Sequence, residues 1–175
     1  SNTYRPEDGV NYTLLLQELR TQLDAAAEVD GTYYELSIAA PAGYDKIRHL
    51  ECAELGEVLD FINIMTYDLR GSWDLSRTGH HAPLYANPLE PSSPDIRDKY
   101  TVDWVLQEYL EQGVPASKIV MGVPMYGRAW GGVNTTADGI TISKTISKTI
   151  SKTLSKTRLE TSARGGGGGG GGAGG

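Results

Sequence analysis

One apolar segment of this 175-residue chain ends in side chains that can do chemistry. In the segment FINIMTYDLRGSW, Met65 and Tyr67 are two residues apart, Asp68 follows directly, and Trp73 comes five residues after Asp68. A carboxylate accepts hydrogen bonds or a proton, a phenol donates a hydrogen bond, and an indole ring offers a flat apolar face. On a strand, Met65 and Tyr67 would lie on the same side because side chains alternate between the two faces.

A second segment, KIVMGVPMYGRAW, ends in a similar set of side chains, namely Tyr126, Arg128 and Trp130. A cleft built from both segment ends would be flat-faced, rich in hydrogen-bonding groups and only weakly charged. Sugars need this combination, because tryptophan faces pack against the C–H faces of pyranose rings and charged groups bind the hydroxyls. The same residues also fit a structural role, with half-buried tyrosines at strand ends and Asp68 as a helix cap. The pattern alone leaves both interpretations open.

Alternating helices and strands would position these side chains. Apolar spacing and turn signals predict helices over 6–30, 44–60 and 102–113 and strands over 33–40, 61–67 and 118–127, with a long polar loop over 68–99. Strands that are apolar nearly throughout and separated by helices indicate an α/β fold with a parallel sheet covered on both faces. Ligands bind at the carboxyl ends of such strands, where both motifs lie.

Composition excludes several classes of function. A net charge of −6 argues against a nucleic-acid-binding protein, and no apolar run is long enough to span a membrane. Cys52 is the only cysteine, which excludes an intrachain disulfide. His80 and His81 are adjacent and therefore project differently, and no third ligand is evident, so neither a metal nor a cofactor is predicted.

Residues 140–175 differ in character from the rest of the chain. They contain a four-residue repeat, TISKTISKTISKTLSKT, followed by a run of glycines. Polyglycine has no side chains to bury, and one narrow apolar stripe cannot bury itself. The sequence therefore predicts one folded unit over 1–139 and a disordered, low-complexity tail over 140–175, to which we assign no function.

Three segments of the chain resemble segments of bacterial-type chitinases, which belong to family 18 of the glycoside hydrolases. FINIMTYDLRGSW is similar to the family's Met-x-Tyr-Asp strand, and residues 113–130 are similar to its seventh strand with the Tyr-Gly-Arg ending. Residues 3–24 resemble the helix that follows the fourth strand. The resemblance spans residues 1–139 and implies part of a TIM (β/α)8 barrel, about strands 5 to 7.

The resemblance also implies a function, the hydrolysis of β-1,4-N-acetylglucosamine linkages in chitin by a substrate-assisted retaining mechanism. It implies that Tyr67 and Asp68 are catalytic, with Tyr67 holding the acetamido group of the substrate and Asp68 contacting the reacting sugar. Chitin or chitooligosaccharides would be the partner, and the location would be extracellular. The oligomeric state stays open. Substrate-binding roles are implied for Met65, Trp73, Tyr126 and Arg128.

The family's acidic motif, Asp-x-x-Asp-x-Asp-x-Glu, does not occur in these 175 residues. Its Glu is the proton donor, so we expect the chain by itself to be inactive and the protein to which it belongs to be a chitinase. Alternatives are a chitin-binding, lectin-like protein without the acid, or an inactive fragment. Leu69 and Arg70 depart from the aromatic or His/Asn residues that the family has after the Tyr-Asp pair, so the resemblance implies no contact to the leaving sugar at these two positions.

Overall fold

The computed structural model describes residues 5–74, 77–136 and 139–150. Helices and strands follow one another along most of this part of the chain. The helices are α1 (Asp8–Asp30), α2 (Tyr44–Ile47), α3 (Cys52–Val58), α4 (Pro94–Lys99) and α5 (Val102–Glu111), with a 3-10 turn at Ala116–Lys118. The strands are β1 (Ser37–Ala40), β2 (Phe61–Ile64), β3 (Ile119–Met121), β4 (Gly127–Thr136) and β5 (Gly139–Ile150).

Strands β1, β2 and β3 form a parallel sheet in that order, as the sequence predicts. Ile38 pairs with Ile62, and Ile62 pairs in turn with Ile119. Since all three strands run the same way, their carboxyl ends meet at one edge of the sheet. That edge is where the two chemical motifs begin.

Helices cover one face of this sheet, not both as the sequence predicts. Alternate residues, Ile62 and Ile64 among them, are buried in a core that includes Leu55 of α3 and Tyr109 of α5. The residues between them stay partly open, and Met65, just beyond β2, is 36% exposed. In the described part of the chain no element covers this second face. Buried and partly exposed residues therefore alternate along the strands, whereas the sequence predicts strands that are buried on both faces.

Helix α1 forms over nearly the predicted range. It ends at Gly31, whose φ of 64° is the left-handed conformation that favours glycine at a helix end. Leu16 is buried, while Leu15 is 55% exposed, so the buried stripe is narrower than the apolar pattern. By contrast, the helix predicted over 44–60 is two short helices, α2 and α3, which are interrupted at residues 48–51 and not at Gly56.

The predicted third strand also divides. Strand β3 ends at Met121, and Gly127 already belongs to β4, which pairs antiparallel with β5 in a separate two-stranded sheet. Residues 140–150, which the sequence assigns to the low-complexity tail, therefore belong to β5 in this structure. Ile and Thr are β-branched and favour extended backbone, and this preference outweighs the low complexity of the repeat. Residues 151–175 lie outside the described residues, and the division at residue 139 stays a prediction.

Candidate active site

Hydrogen bonds tie together the carboxyl ends of β2 and β3. The Gly122 N–H donates to the Ile64 carbonyl at 2.9 Å, and the Thr66 hydroxyl donates to the Gly122 carbonyl at 2.6 Å. Thr66 is fully buried, so this reciprocal contact is shielded from water and holds the two strand ends in register. The residues that follow each strand are thereby brought side by side.

Gly122 also makes room for Tyr67. A Cβ at this position would lie 2.6 Å from the Ile64 carbonyl oxygen and 2.9 Å from Cε1 of Tyr67. Both distances are too short for a real side chain, so the Tyr67 ring can lie against the β3 backbone only because residue 122 is glycine. The ring centroid of Tyr67 is 6.2 Å from that of Tyr126, with the planes at 80°, an edge-to-face pair.

Asp68 is the centre of the site. Its Oδ1 accepts a hydrogen bond from the Tyr126 hydroxyl at 2.7 Å and another from Nε of Arg128 at 2.7 Å. Nη2 of Arg128 lies at the same distance from this oxygen, and Nδ1 of His81 lies 3.5 Å from it. The two sequence motifs thus meet at the Asp68 carboxylate, although about sixty residues separate them along the chain. The Asp68 side chain is 37% exposed.

Asp68 and its hydrogen-bond donors shift one another's pKa values. The Arg128 guanidinium, with help from the Tyr126 hydroxyl, holds the pKa of Asp68 below its usual value of 3.8, although partial burial opposes the shift. Burial and the neighbouring Asp68 carboxylate raise the pKa of Tyr126 to about 12. Asp68 is therefore ionised and Tyr126 protonated at neutral pH. The site offers a fixed hydrogen-bond acceptor held by charged and neutral donors.

Trp73 joins this group through Arg128. The guanidinium carbon lies 5.1 Å from the centre of the Trp73 ring, a cation–π distance, while the Trp73 side chain remains largely exposed. The structure thus brings together five of the six predicted site residues. Met65 lies at the end of β2 on the open face of the sheet and takes no part in these contacts of Asp68.

His81 is a residue of the site that sequence reasoning missed. Its carbonyl accepts the Leu69 N–H at 2.7 Å, and its ring centroid is 5.1 Å from that of Tyr126. The position of His80 and His81 in the loop fits the rim of a substrate cleft or plain surface, but it does not single out His81. Among the described residues no group of three or more His, Cys, Asp or Glu is placed to hold a metal ion. No sequence signal pairs His81 with Asp68, because their contact depends on the path of the loop.

Leu69 and Arg70 are buried and hold the loop after β2 in place. The Arg70 guanidinium binds the Glu90 carboxylate at 2.7 Å and donates to the Ile96 carbonyl at 2.8 Å. These contacts join residues 20 to 26 positions apart, so they fold the long loop back on itself. The structure therefore gives these two residues a structural role next to the site.

Comparisons with known proteins identify the family of this chain. The family model described as glycosyl hydrolases family 18 matches residues 2–166. Chitinase 1 of Aphanocladium album is 50% identical over 122 residues, which cover 69% of this chain and 28% of that protein. Chitinase A1 of Niallia circulans is 44% identical over 140 residues, 79% of this chain and 20% of that protein. The chain thus spans between a fifth and a third of the length of these relatives.

A solved structure supports the same family at the level of the fold. Chitinase ChiA74 from Bacillus thuringiensis superposes with a TM-score of 0.73 at 36% identity, over 85% of this chain and 24% of that one. The three parallel strands with their helices are consistent with part of the TIM barrel of the family, as the sequence resemblance implies. No helix among the described residues is long and apolar enough to cross a membrane. From the match to its family model, its relatives and its fold, this chain is a member of glycosyl hydrolase family 18.

Proposed function

We propose that this chain supplies part of the substrate cleft of a chitinase, which hydrolyses β-1,4-N-acetylglucosamine linkages in chitin. The observation that carries the proposal is the convergence of Tyr67, Asp68, Tyr126 and Arg128 at the carboxyl ends of two neighbouring parallel strands. The site holds polar aromatic groups and one charge-paired carboxylate, which suits an uncharged sugar. The chitinases among the relatives support the choice of substrate.

In the proposed mechanism the acetamido oxygen of the substrate attacks the anomeric carbon, with retention of configuration. Tyr67 donates a hydrogen bond to the acetamido carbonyl and holds it in line. Asp68, fixed through Oδ1 by Arg128, binds the reacting sugar through its other oxygen. This part of the barrel therefore acts by positioning, and a well-oriented intramolecular nucleophile can lower a barrier by roughly 7–11 kcal/mol.

The remaining predicted residues line the cleft. We propose that Met65 shapes its apolar floor, that Tyr126 and Arg128 hold substrate at the neighbouring strand end, and that Trp73 stacks on a sugar on the leaving-group side. In this assignment β1, β2 and β3 correspond to about the fifth, sixth and seventh strands of the barrel. The leaving-group acid is the Glu of the Asp-x-x-Asp-x-Asp-x-Glu motif, on a segment other than these 175 residues.

The test compares the chain with the longer protein that carries this motif, which we propose to be extracellular. The longer protein should hydrolyse chitotetraose, and proton NMR should show the β anomer as the first product. An oligosaccharide without acetyl groups should resist cleavage, because it lacks the attacking oxygen. The 175-residue chain should bind chitotetraose without cleaving it, since general acid catalysis contributes about 10²–10⁴-fold.

Two other results would change the assignment. Binding by the longer protein without hydrolysis would favour a chitin-binding lectin in place of an enzyme. Cleavage of the deacetylated oligosaccharide at the same rate would contradict substrate assistance, and initial release of the α anomer would contradict retention.

A further inference from the structure

His81 reaches Asp68 from a third part of the chain. Asp68 follows β2, and its partners Tyr126 and Arg128 lie in the segment that leads from β3 into β4. His81 belongs to the long loop after β2, and its Nδ1 lies 3.5 Å from Oδ1 of Asp68. This is the same carboxylate oxygen that accepts the hydrogen bonds from Tyr126 and Arg128. Three separate stretches of the chain therefore meet at one oxygen atom.

Backbone contacts of the loop hold His81 in this position. The His81 carbonyl accepts the Leu69 N–H at 2.7 Å, which ties His81 to the residue directly after Asp68. Gly79, two residues before His81, packs against the buried side chain of Arg70. A Cβ at Gly79 would lie 2.8 Å from Cγ of Arg70, so only glycine fits there. The place of the His81 ring is thus set by contacts other than those of the ring itself.

The imidazole of His81 has an unused polar atom beside Asp68. The ring packs against Tyr126, with the two planes tilted by 40°, and only 15% of the His81 side chain is exposed. Nδ1 is buried and forms no hydrogen bond within the part of the chain that the structure describes. Its distance of 3.5 Å from Oδ1 suits an ion pair but is long for a hydrogen bond. Because a buried polar atom without a partner costs free energy, its place next to a reactive carboxylate indicates a role in function.

The neighbouring carboxylate determines which ring nitrogen of His81 carries a proton. A lone pair on Nδ1 would face the lone pairs of the ionised Asp68 carboxylate, whereas an Nδ1–H directs a donor at it. The proton therefore belongs on Nδ1 in the neutral ring as well as in the charged one. The Arg128 guanidinium and the Tyr126 hydroxyl lower the pKa of Asp68 more than His81 does, as the longer distance from His81 implies.

We propose that His81 is a positioning residue for Asp68, whose Nδ1–H closes on Oδ1 when substrate binds and so keeps the other carboxylate oxygen directed at the reacting sugar. This inference rests on the proposed function and adds a residue to it. A movement of roughly 0.5 Å brings Nδ1 to hydrogen-bond distance. The terminal torsion of an aspartate is broad and roughly two-fold, so a carboxylate can exchange its two oxygens by turning. A further donor on Oδ1 opposes this exchange and keeps the geometry of the site fixed.

Two substitutions at position 81 separate the donor from the ring. His81→Asn keeps an N–H donor on the atom that corresponds to Nδ1 and removes the ring, whereas His81→Phe keeps a ring and removes the donor. Kinetics of the longer protein with chitotetraose should show a kcat about tenfold lower in His81→Phe, with KM within about twofold, because the lost contact acts on the reacting geometry. His81→Asn should keep kcat within about threefold of the unchanged protein.

His49→Phe is the matched control for His81→Phe. His49 is exposed in the segment between α2 and α3, so the same substitution there should leave kcat and KM unchanged. Nitrogen NMR of the unchanged 175-residue chain adds a measurement that needs no variant, and it decides the question if His81→Phe does not fold. The nitrogen chemical shifts of His81 should place a proton on Nδ1 at neutral pH.

Several results would overturn the role of His81. A loss of kcat in His81→Asn with a normal kcat in His81→Phe would show that only the packing on Tyr126 matters. Equal values of kcat in the two variants, or a deprotonated Nδ1, would also overturn it. In each of these cases the proposed function stands as long as the unchanged longer protein hydrolyses chitotetraose. If that protein does not hydrolyse it, the proposed function fails and the role of His81 fails with it.

Discussion

Asp68 combines a reactive side chain with an unusual backbone conformation. Its φ is 59°, and it is the only non-glycine residue with positive φ in the described part of the chain. Residues in such conformations cost of order 1–3 kcal/mol and persist where the surrounding structure fixes them, often at functional sites. Aspartate and asparagine tolerate this conformation better than other non-glycine residues. Asp68 therefore combines backbone strain, an ion pair with Arg128 and a hydrogen bond from Tyr126.

The charge of Asp68 can be tested apart from its backbone. Asp68→Asn keeps the shape and the tolerance for positive φ but removes the negative charge that Arg128 binds. We expect kcat/KM for chitotetraose, measured on the longer protein, to fall by about 10²-fold, because the site loses the fixed position of its acceptor. Circular dichroism should show an unchanged fold.

Asp45→Asn is the matched control for this substitution. Asp45 also accepts a hydrogen bond from a tyrosine, Tyr100, and pairs with a cation, Lys46, but it lies on α2 and has partners other than those of Asp68. We expect its kcat/KM to stay at the level of the unchanged protein. Equal losses in the two variants would show that Asp68 has only a general structural role.

The pH dependence of Asp68 follows from the direction of its pKa shift. Because the folded-state pKa lies below 3.8, the ion pair with Arg128 stabilises the fold fully above that value. This stabilisation is lost as the pH falls through the lower, folded-state pKa. Arg128→Met removes the largest cause of the shift, and Tyr126→Phe removes a smaller cause. The pKa of Asp68 should therefore rise toward its usual value in both variants, and it should rise further in Arg128→Met.

Carbon NMR of the Asp68 carboxyl group in the 175-residue chain measures these titrations directly. The carboxylate is more than a third exposed, so we expect only a modest contribution to the free energy of unfolding. A larger pKa shift in Tyr126→Phe than in Arg128→Met would contradict the dominant influence of the guanidinium on Asp68.

At the scale of elements, the contact between β2 and β3 decides whether the site forms. Gly122→Ala would place a Cβ against the Ile64 carbonyl and the Tyr67 ring, so we expect the free energy of unfolding to drop by roughly 1–3 kcal/mol. Tyr67 should also move, and affinity for chitotetraose should fall. Urea unfolding and calorimetry of the 175-residue chain measure the two effects.

Gly127→Ala provides the control within the same segment. A Cβ at Gly127 would meet nothing within 4 Å, and this glycine has no positive φ that would exclude alanine. Its free energy of unfolding should change by less than about 0.5 kcal/mol. If both alanine variants unfold at the same urea concentration, the close approach of Gly122 to Tyr67 does not contribute to the free energy of unfolding.

The sequence predicts the elements well and the contacts between them poorly. Periodicity and the Asp30–Gly31 signal predict α1, because helix formation and its glycine stop are local properties. The parallel order also follows from the alternation of strands and helices. The packing of His81 could not be derived from spacing, since it depends on how the loop after β2 folds around Arg70. The hydrogen bond from Tyr126 to Asp68 could not be derived either, because it depends on the close approach of the ends of β2 and β3. The family resemblance identified the residues that meet, but not their geometry.

At the scale of the whole molecule, the sheet is half covered. Its open face and the β3 end expose apolar side chains in the described part of the chain, including Met121 at 45%, Val123 at 62% and Met125 at 70%. Parallel sheets are stable when both faces are covered, and in a TIM barrel side chains from the other strands fill the interior. We therefore expect this apolar surface, which would face the interior of a complete barrel, to promote association of this chain.

This exposure predicts self-association of the 175-residue chain. Strand β3 has β2 on one side and no further strand in its described sheet on the other, and an apolar edge of this kind pairs readily with another chain. Val123→Lys places a charge beside that edge and should shift sedimentation-velocity profiles toward the monomer. Val29→Lys, at a residue that is 85% exposed on α1, adds the same charge outside the sheet and should leave association unchanged. A chain that sediments as a monomer at every concentration, or an equal effect of both lysines, would show that the β3 edge does not drive association.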